Sequence, residues 1–327
     1  MTRAVILGTG SCLPERVLTN RELEGMVETS DEWITTRTGI QTRRIAGPGE
    51  ETHRLAAAAG REALAMAGIT AASLDLVVVA TLTPPKLMPA CACFVQTELG
   101  ADRAFAYDIN AACSGFVYGM DLAAAYIERR PQMRILLVGA ENLSARTNWR
   151  DRNTCVLFGD GAGACVLSGG AEGEARGILG ASLAADGSLW DLLHMDGPPS
   201  MNPALAQPDH DGCYIRMSGR DVFKHAVRAM EESVRAVLAQ QGVGLEEIRL
   251  VIPHQANIRI LHNLMERLAL PEEKVYINVT RYGNTSAASI PIAMDEANRQ
   301  GLLRPGDLVL LCSFGGGFTW GALLLRW

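Results

Sequence analysis

The chain has 327 residues, enough for two subdomains or one large layered α/β domain, and its 48% hydrophobic and 20% charged residues indicate a compact, ordered fold. A net charge of −6 without a long basic stripe excludes a general nucleic-acid-binding role. The apolar run before Gly8 is too short for a signal peptide, and no later run approaches the length of a membrane span. We therefore expect a cytoplasmic protein without a membrane partner.

The eight cysteines show no Cys-x-x-Cys pair. The closest two, Cys91 and Cys93, have no histidine near them in the sequence that could complete a zinc site. We predict free thiols and no metal.

Strands and helices alternate through the first half of the chain. Continuous apolar runs with β-branched residues predict strands covered on both faces, and small-residue runs ended by glycine predict helices. The predicted elements are a strand at 4–7, a helix capped by Asn20, a helix capped by Ser30 or Asp31, a helix at 51–67, a strand at 74–82, a helix at 90–99, a strand at 134–139 and a glycine-rich strand pair at 156–167.

An irregular segment separates this half from the next. Glycine is frequent after residue 169 and four prolines lie between Pro198 and Pro208, so we predict a linker or insertion at 171–213. The alternation then restarts with a helix at 221–240 and a strand at 250–252. These boundaries divide the chain into an N-terminal half, 1–170, and a C-terminal half, 171–327.

The two halves repeat one α/β unit. Residues 75–79, 105–125, 135–139 and 158–167 of the first half match residues 249–252, 275–298, 308–312 and 318–325 of the second. Such alternation requires mostly parallel sheets with helices on both faces, and the duplication predicts two halves packed about a pseudo-twofold axis.

The helix that follows Cys113 is predicted to lie in the interior. Asp121 is its only charged residue up to Ala125, and small residues recur every fourth position, which favours close backbone packing. A cysteine at a helix start lies near unpaired N–H groups and the positive end of the helix dipole, and both favour its thiolate. Cys113 is therefore a candidate nucleophile, although a cysteine taken alone is more often a buried apolar residue.

Three loops of the second half carry chemically suggestive residues at equivalent strand ends, where active sites of open α/β sheets gather. They are Pro253-His254-Gln255-Ala256-Asn257, Gly283-Asn284-Thr285-Ser286 and Phe314-Gly315-Gly316-Gly317-Phe318. Taken singly, His254 could be a capping or core residue, Asn284 a turn residue and the glycines a tight turn. Convergence of all three loops with Cys113 favours an active site.

Six motifs, in this order, resemble those of β-ketoacyl-acyl carrier protein synthase III, the initiating condensing enzyme of dissociated fatty acid synthesis. They are ETSDEWI at 28–34, ACSGF at 112–116, FGDGAG at 158–163, HQAN at 254–257, GNTSAAS at 283–289 and FGGGFTWG at 314–321. The resemblance implies a thiolase-like α/β fold of duplicated halves in five α/β/α/β/α layers. It also implies a homodimer.

The resemblance further implies a ping-pong, decarboxylating Claisen condensation. Cys113 would take the acyl group of a short acyl-coenzyme A, with the N–H groups of Cys113 and Gly316 as the oxyanion hole. Malonyl-acyl carrier protein would then lose carbon dioxide, and its enolate would attack the acyl group to give 3-oxoacyl-acyl carrier protein. His254 and Asn284 would donate hydrogen bonds to the malonyl thioester oxygen. No metal or other cofactor is implied, since acyl-coenzyme A is a substrate.

The binding residues follow from the same resemblance. Contacts to coenzyme A and its pantetheine arm would come from Thr29, Trp33, Arg37, Arg152, Phe223, Ala256 and Asn257. The acidic carrier protein would dock on Arg220, Lys224, Arg228 and Arg259, for which a solvated charged face is the alternative interpretation. Met88 stands where many members have phenylalanine and would reach across the dimer to the partner's acyl pocket. Glu266-Arg267 stands where a lysine pair is common.

Three other functions compete with this interpretation. A related condensing enzyme or acyltransferase of a specialised pathway would use the same Cys-His-Asn set. A Cys-His-Asn protease would share the residue order, but the duplicated α/β unit opposes it. A non-catalytic partner subunit is expected to have lost Cys113 or His254, and both are present.

Overall fold

The computed structural model describes residues 2–205 and 212–327, and most of its strands belong to two large sheets. The strands are β1 (Ala4–Cys12), β2 (Val17–Thr19), β3 (Thr42–Arg44), β4 (Leu76–Ala80), β5 (Phe105–Ile109), β6 (Ile135–Asn142), β7 (Asp160–Gly169), β8 (Gly177–Ala185), β9 (Leu193–Met195), β10 (Ile215–Met217), β11 (Leu250–Pro253), β12 (Leu308–Gly315) and β13 (Thr319–Arg326). Two small pairs, β2 with β3 and β9 with β10, lie outside the large sheets.

The helices of the described residues are α1 (Asn20–Glu24), α2 (Asp31–Thr38), α3 (Thr52–Ala67), α4 (Cys91–Leu99), α5 (Gly115–Arg129), α6 (Gly219–Gln241), α7 (Ile258–Leu268), α8 (Val279–Tyr282) and α9 (Ser289–Arg299). Single 3-10 turns, Ala112–Ser114 and Ser286–Ala288, directly precede α5 and α9. None of these helices is both long and apolar enough to cross a lipid bilayer.

The two large sheets have the same topology. The first has the strand order β1-β7-β6-β4-β5 and the second β8-β13-β12-β11, with a parallel bridge from Val251 to Val275 where the first sheet has β5. The repeat predicted from the sequence is therefore confirmed. The prediction of mostly parallel sheets is wrong, because β7 and β13 each run antiparallel to both of their neighbouring strands. No α-helix crosses over from β6 to β7 or from β12 to β13, so the chain returns antiparallel.

Alternating side chains of the strands face different apolar layers. Leu76 and Val78 face α5 and α9 between the sheets, whereas Val77 and Val79 face α3 and α4 outside the first sheet. Helices α6 and α7 cover the outer face of the second sheet. The resulting order of α3 and α4, sheet, α5 and α9, sheet, α6 and α7 is the predicted five-layered arrangement.

Glycines determine how closely these layers approach. A Cβ atom at Gly119 would lie 2.6 Å from Cδ1 of Leu137, so the predicted close packing of the small-residue face of α5 is confirmed. In the same sheet, a Cβ atom at Gly163 of β7 would lie 2.5 Å from the backbone nitrogen of Ile292 in α9. Neither contact has room for a methyl group.

Two local predictions are wrong. The linker predicted at 171–213 contains β8, whose small-residue sequence GILGASLAA has neither an apolar run nor alternation and which forms its strand by pairing with β13. The glycine-rich stretch at 156–167 contributes one strand, β7, rather than two. Pro208, which the sequence places in the linker, lies outside the described residues.

The cap of the first helix also differs from the prediction. The side chain of Thr19, not that of Asn20, accepts the capping hydrogen bond of α1. Asn20 is instead buried, and its amide donates to Asp31 at 2.7 Å. The predicted role of Ser30 is confirmed, since its hydroxyl accepts from the N–H of Trp33 at the start of α2.

We expect Gly163→Ala to destabilise the protein by about 3 kcal/mol, because the added methyl group meets the rigid backbone of α9. Urea unfolding followed by circular dichroism would measure the change. Gly187→Ala is the matched control: no atom lies within 4 Å of its new Cβ, and we expect a change below about 0.5 kcal/mol. Equal midpoints for the two variants would contradict the packing argument.

Candidate active site

One cavity of about 380 Å³ brings together the residues predicted for catalysis. Cys113, His254, Asn284 and Gly316 all line it, and so do the predicted pantetheine contacts Phe223, Ala256 and Asn257. Cys113 comes from the turn before α5, His254 follows β11, Asn284 follows α8 and Gly316 follows β12. Both halves of the chain therefore contribute to one site.

The turn that carries Cys113 is held by a glycine of the second half. A Cβ atom at Gly315 would lie 2.6 Å from the backbone nitrogen of Cys113, so only glycine fits there. Ala112, the residue before Cys113, has a left-handed backbone with φ of 45°. Among the described residues, the Gly316 N–H donates to no backbone carbonyl and is therefore available to a ligand.

Burial changes the expected state of the Cys113 sulfur. Burial raises the pKa of the thiol to about 12, which outweighs the lowering effect of the nearby Ser286 hydroxyl, and the Glu141 carboxylate raises the pKa further. Burial therefore opposes the thiolate that the start of α5 is expected to favour.

His254 is a neutral hydrogen-bond donor in this geometry. The Ser289 hydroxyl oxygen lies 2.7 Å from Nδ1 and accepts the Gln255 N–H at 3.3 Å, and we assign the Ser289 proton to the hydrogen bond with Nδ1. The ring proton then sits on Nε2, for which no hydrogen-bond partner is recorded among the described residues. Burial lowers the pKa of His254 to about 3, which keeps the ring uncharged.

Asn284 is oriented by its backbone and by its own side-chain oxygen. Its Oδ1 accepts the Ser286 N–H at 2.8 Å, so its amide group presents Nδ2 as a donor. Its N–H donates to the carbonyl of Leu157 at 2.8 Å, and this joins the loop to the first half of the chain. The cavity thus has two preorganised donors, on His254 and Asn284, near one thiol.

The predicted coenzyme A residues form a second group beside the cavity. The guanidinium carbons of Arg37 and Arg152 lie 4.7 and 5.1 Å from the centre of the Trp33 ring. The Thr29 hydroxyl is buried without a hydrogen-bond partner in the described structure. Asn257, which lines the cavity, donates to the carbonyl of Arg37 at 3.2 Å and so connects the two groups.

The residues predicted for docking and for the dimer lie away from the cavity lining. Arg220, Lys224, Arg228 and Arg259 are exposed, and Arg228 is bound to Glu232 at 2.6 Å. Arg267, part of the departure from the usual lysine pair, forms an ion pair with Glu231. Met88 is 86% exposed on the loop before α4.

Several lining residues escaped the sequence analysis. Trp190, Leu193, His194 and Met195 come from the region predicted as a linker, Ile215 and Met217 lie just after it, and no sequence signal marked any of them. Ser289 and Ser286 lay unassigned inside the GNTSAAS motif. Glu141 is fully buried and had one signal, since it is an acidic residue directly after the apolar strand ILLVGA.

The other seven cysteines form no disulfide, as predicted, and all eight are free thiols. Within residues 2–205 and 212–327, no three His, Cys, Asp or Glu side chains are grouped so that they could hold a metal ion.

Burial of a neutral His254 predicts an acid-sensitive contribution to stability. Its pKa is about 3 when folded and 6.5 ordinarily, so protonation favours the unfolded chain as the pH falls below 6.5. We expect His254→Asn to lose about 2 kcal/mol less stability than wild type between pH 6.5 and pH 4.5, by urea unfolding. The exposed His262, changed to Asn, is the control and should follow wild type. A common pH dependence in all three proteins would contradict a buried neutral His254.

Two family models match the chain. The model of 3-oxoacyl-[acyl-carrier-protein] synthase III matches residues 107–187, and that of the C-terminal region of the same family matches residues 238–327. The beta-ketoacyl-[acyl-carrier-protein] synthase III of Desulfotalea psychrophila is 57% identical, over 99% of each chain.

Solved structures agree with this assignment. The crystal structure of 3-oxoacyl-[acyl-carrier-protein] synthase III from Aquifex aeolicus is 51% identical and covers 100% of both chains with a TM-score of 0.92. The priming beta-ketosynthase from the R1128 polyketide biosynthetic pathway is 35% identical, with a TM-score of 0.92 over 99% of this chain and 96% of its own. The predicted duplicated, thiolase-like α/β fold is confirmed, and the chain belongs to the 3-oxoacyl-[acyl-carrier-protein] synthase III family.

Proposed function

We propose that this protein catalyses the decarboxylating condensation of a short acyl-coenzyme A with malonyl-acyl carrier protein, the initiating step of fatty acid synthesis. One observation carries the proposal for the site: a thiol, two neutral side-chain donors and the glycine turn at Gly316 all line one cavity in a chain of this family. The reaction needs no cofactor, because both substrates arrive as thioesters.

In the first half-reaction, Cys113 attacks the acyl thioester and coenzyme A leaves. The oxygen of the substrate carbonyl becomes negative in the transition state, where the N–H groups of Cys113 and Gly316 would stabilise it. The mostly apolar lining of the cavity lowers the local dielectric constant and would strengthen these hydrogen bonds.

In the second half-reaction, malonyl-acyl carrier protein loses carbon dioxide and leaves an enolate. Nε2 of His254 and Nδ2 of Asn284 would donate to the enolate oxygen as charge builds there. A neutral His254 suits this role, since it can donate a hydrogen bond while its proton stays on the ring. The enolate carbon then attacks the acyl group on Cys113.

The surface around the cavity suits the two carriers of acyl groups. Trp33, with Arg37 and Arg152 close to its ring, offers a flat ring and two cations, which fits the adenine and phosphates of coenzyme A. Thr29, Phe223, Ala256 and Asn257 complete that path. Arg220, Lys224 and Arg259 form no ion pair in the described part of the chain and are available to acidic groups of the carrier protein. Arg228 would first have to leave Glu232.

We further propose a homodimer. Strand β5 is an edge of the first sheet, its Phe105 is 45% exposed, and Leu87 and Met88 are 80% and 86% exposed. Unpaired edges and exposed apolar side chains are features that a second copy would cover. Met88 would then reach the partner's acyl pocket. We place the enzyme in the cytoplasm, where both of its proposed substrates would be found.

Priming of a specialised pathway is the second candidate. It is favoured by the likeness to the polyketide priming ketosynthase, whose fold and length match this chain at 35% identity. The higher identity, 57%, to a relative named for the fatty acid enzyme makes fatty acid synthesis the better supported function.

Acyl transfer to Cys113 can be tested by intact-protein mass after incubation with a panel of acyl-coenzyme A thioesters. We expect one short acyl group on the wild type and none on Cys113→Ala, because the other seven cysteines are not placed for acyl transfer. Addition of malonyl-acyl carrier protein should remove the acyl mass and release 3-oxoacyl-acyl carrier protein. No adduct with any thioester would refute the first half-reaction.

Alignment of the oxyanion hole depends on Gly315. We expect Gly315→Ala to displace the Cys113 turn and to slow acylation at least about tenfold, because small misplacements of reacting groups are costly. Single-turnover acylation followed by mass measures the rate. The control is Gly47→Ala, whose Cβ would meet only the flexible Glu50 side chain at 3.5 Å and should leave the rate unchanged. A normal rate in Gly315→Ala would contradict the role of this contact.

A further inference from the structure

A buried acid that the reaction as described does not use lies behind the nucleophile. Glu141, at the end of β6, is 0% exposed. Its carboxylate accepts from the Thr83 hydroxyl at 2.6 Å, the Leu82 N–H at 3.2 Å and the Thr81 hydroxyl at 3.3 Å. No arginine, lysine or histidine of residues 2–205 and 212–327 forms an ion pair with it. A buried carboxyl without a cation is costly to keep and calls for a reason.

Ser286 connects this acid to the cavity. Its hydroxyl donates to Oε1 of Glu141 at 3.2 Å, which leaves the hydroxyl oxygen able to accept a proton from the Cys113 thiol, a group that lines the same cavity as Ser286. The serine is held in place by its N–H, which donates to Asn284 at 2.8 Å, and by a left-handed backbone with φ of 50°. Such strained positions persist where the surrounding structure enforces them, often at functional sites.

A negative charge on Glu141 and a negative charge on Cys113 destabilise each other. Burial raises the pKa of Glu141 to about 7 and that of Cys113 to about 12, and each negative group opposes the other in the same dry volume. Near neutral pH the acid is therefore partly ionised while the thiol keeps its proton. Cys113 can become a thiolate if its proton passes to Glu141, because the two groups together then still carry only one negative charge.

His254 is poorly placed to take that proton. Its Nδ1 is occupied by the Ser289 hydroxyl and its Nε2 carries the ring proton, so neither nitrogen is a free acceptor. The other titratable group that faces Glu141 is the thiol of Cys91 at the start of α4, whose pKa is raised by burial. Cys91 is therefore no competing base.

We propose that Glu141, acting through the Ser286 hydroxyl, accepts the proton of Cys113 as its sulfur attacks. The Cys113 proton moves to the oxygen of Ser286 while the Ser286 proton moves to Glu141. A bond forms between the sulfur and the acyl carbon, the bond to the sulfur of coenzyme A breaks with its electron pair, and coenzyme A takes a proton from solvent.

The same path restores the thiol in the second half-reaction. The enolate carbon attacks the acyl carbon, Cys113 leaves as a thiolate, and Glu141 returns its proton through Ser286. The acyl steps rest on the proposed function, whereas the proton path concerns the thiol itself and can be tested without an acyl substrate.

Two other roles for Glu141 predict different behaviour. If its charge only opposes the thiolate, Glu141→Gln should make Cys113 more reactive. If it only holds the loop after β4 through Thr81, Leu82 and Thr83, Glu141→Gln should lower stability and leave the pH profile of Cys113 unchanged.

The test is the rate of Cys113 alkylation by iodoacetamide between pH 5.5 and pH 9, resolved from the other cysteines by peptide mass. We expect the wild-type rate to rise with a midpoint near the pKa of Glu141, about 7, and then to level off. Glu141→Gln and Ser286→Ala should lack this rise and react at least about tenfold more slowly at pH 8. Glu141→Asp, which keeps a carboxyl group, should recover part of it.

Asp160→Asn is the matched control. Asp160 is also 0% exposed and accepts from Ala46 and Ser144, but nothing links it to Cys113. We expect it to keep the wild-type profile. A faster Glu141→Gln protein, or a wild-type profile in either Glu141→Gln or Ser286→Ala, would overturn the proton path. Thermal unfolding would show whether Glu141→Gln folds. If it does not fold, the Ser286→Ala variant still tests the proton path.

Acylation by acyl-coenzyme A, measured in parallel, separates this proposal from the proposed function. If alkylation follows the expected profiles but no thioester acylates Cys113, the proton path stands and the proposed function fails. If acylation occurs with an unchanged profile in Glu141→Gln, the function stands and the proton path fails.

Discussion

The structure depends on backbone contact between its two halves at the nucleophile. Gly315 of the second half lies against the backbone of Cys113, and Gly139 of the first half lies against Ala287, where a Cβ atom would come within 2.2 Å of the Ala287 oxygen. Such contacts exclude water, position backbone N–H groups and leave no freedom for the turn that carries Cys113. The duplicated fold makes them possible, because α5 and α9 share one layer between the sheets.

Exclusion of water then governs the chemistry. Burial raises the pKa of Cys113 and of Glu141 and lowers that of His254, so each group favours its neutral form. A site of neutral donors is well suited to stabilise charge that appears only during the reaction. The same environment opposes a standing thiolate, which is why a buried proton acceptor next to Cys113 is chemically useful.

The repeat gives the two halves the same local backbone structure, but the side chains that this structure presents are different. Ala112 and Ser286 both have left-handed backbones, each begins a 3-10 turn, and each turn leads into a helix of the central layer. In the first half the turn presents Cys113. In the second it presents Ser286 next to Asn284, so the same geometry supplies the nucleophile from one side and hydrogen-bonding groups from the other.

The sequence by itself determined the layers, because apolar runs and helix-ending glycines are local properties of the chain. It also determined the chemical groups, because Cys113, His254 and Asn284 each lie in a short local motif. Only the tertiary structure decided the rest. Strand β8 exists because β13 pairs with its small residues, and the wall formed by Leu193, Met195 and Ile215 exists because the supposed linker and the residues just after it pack over the cavity. The protonation of Cys113 and the position of Glu141 beside Ser286 depend on burial and on contacts between residues 145 positions apart, which no local pattern encodes.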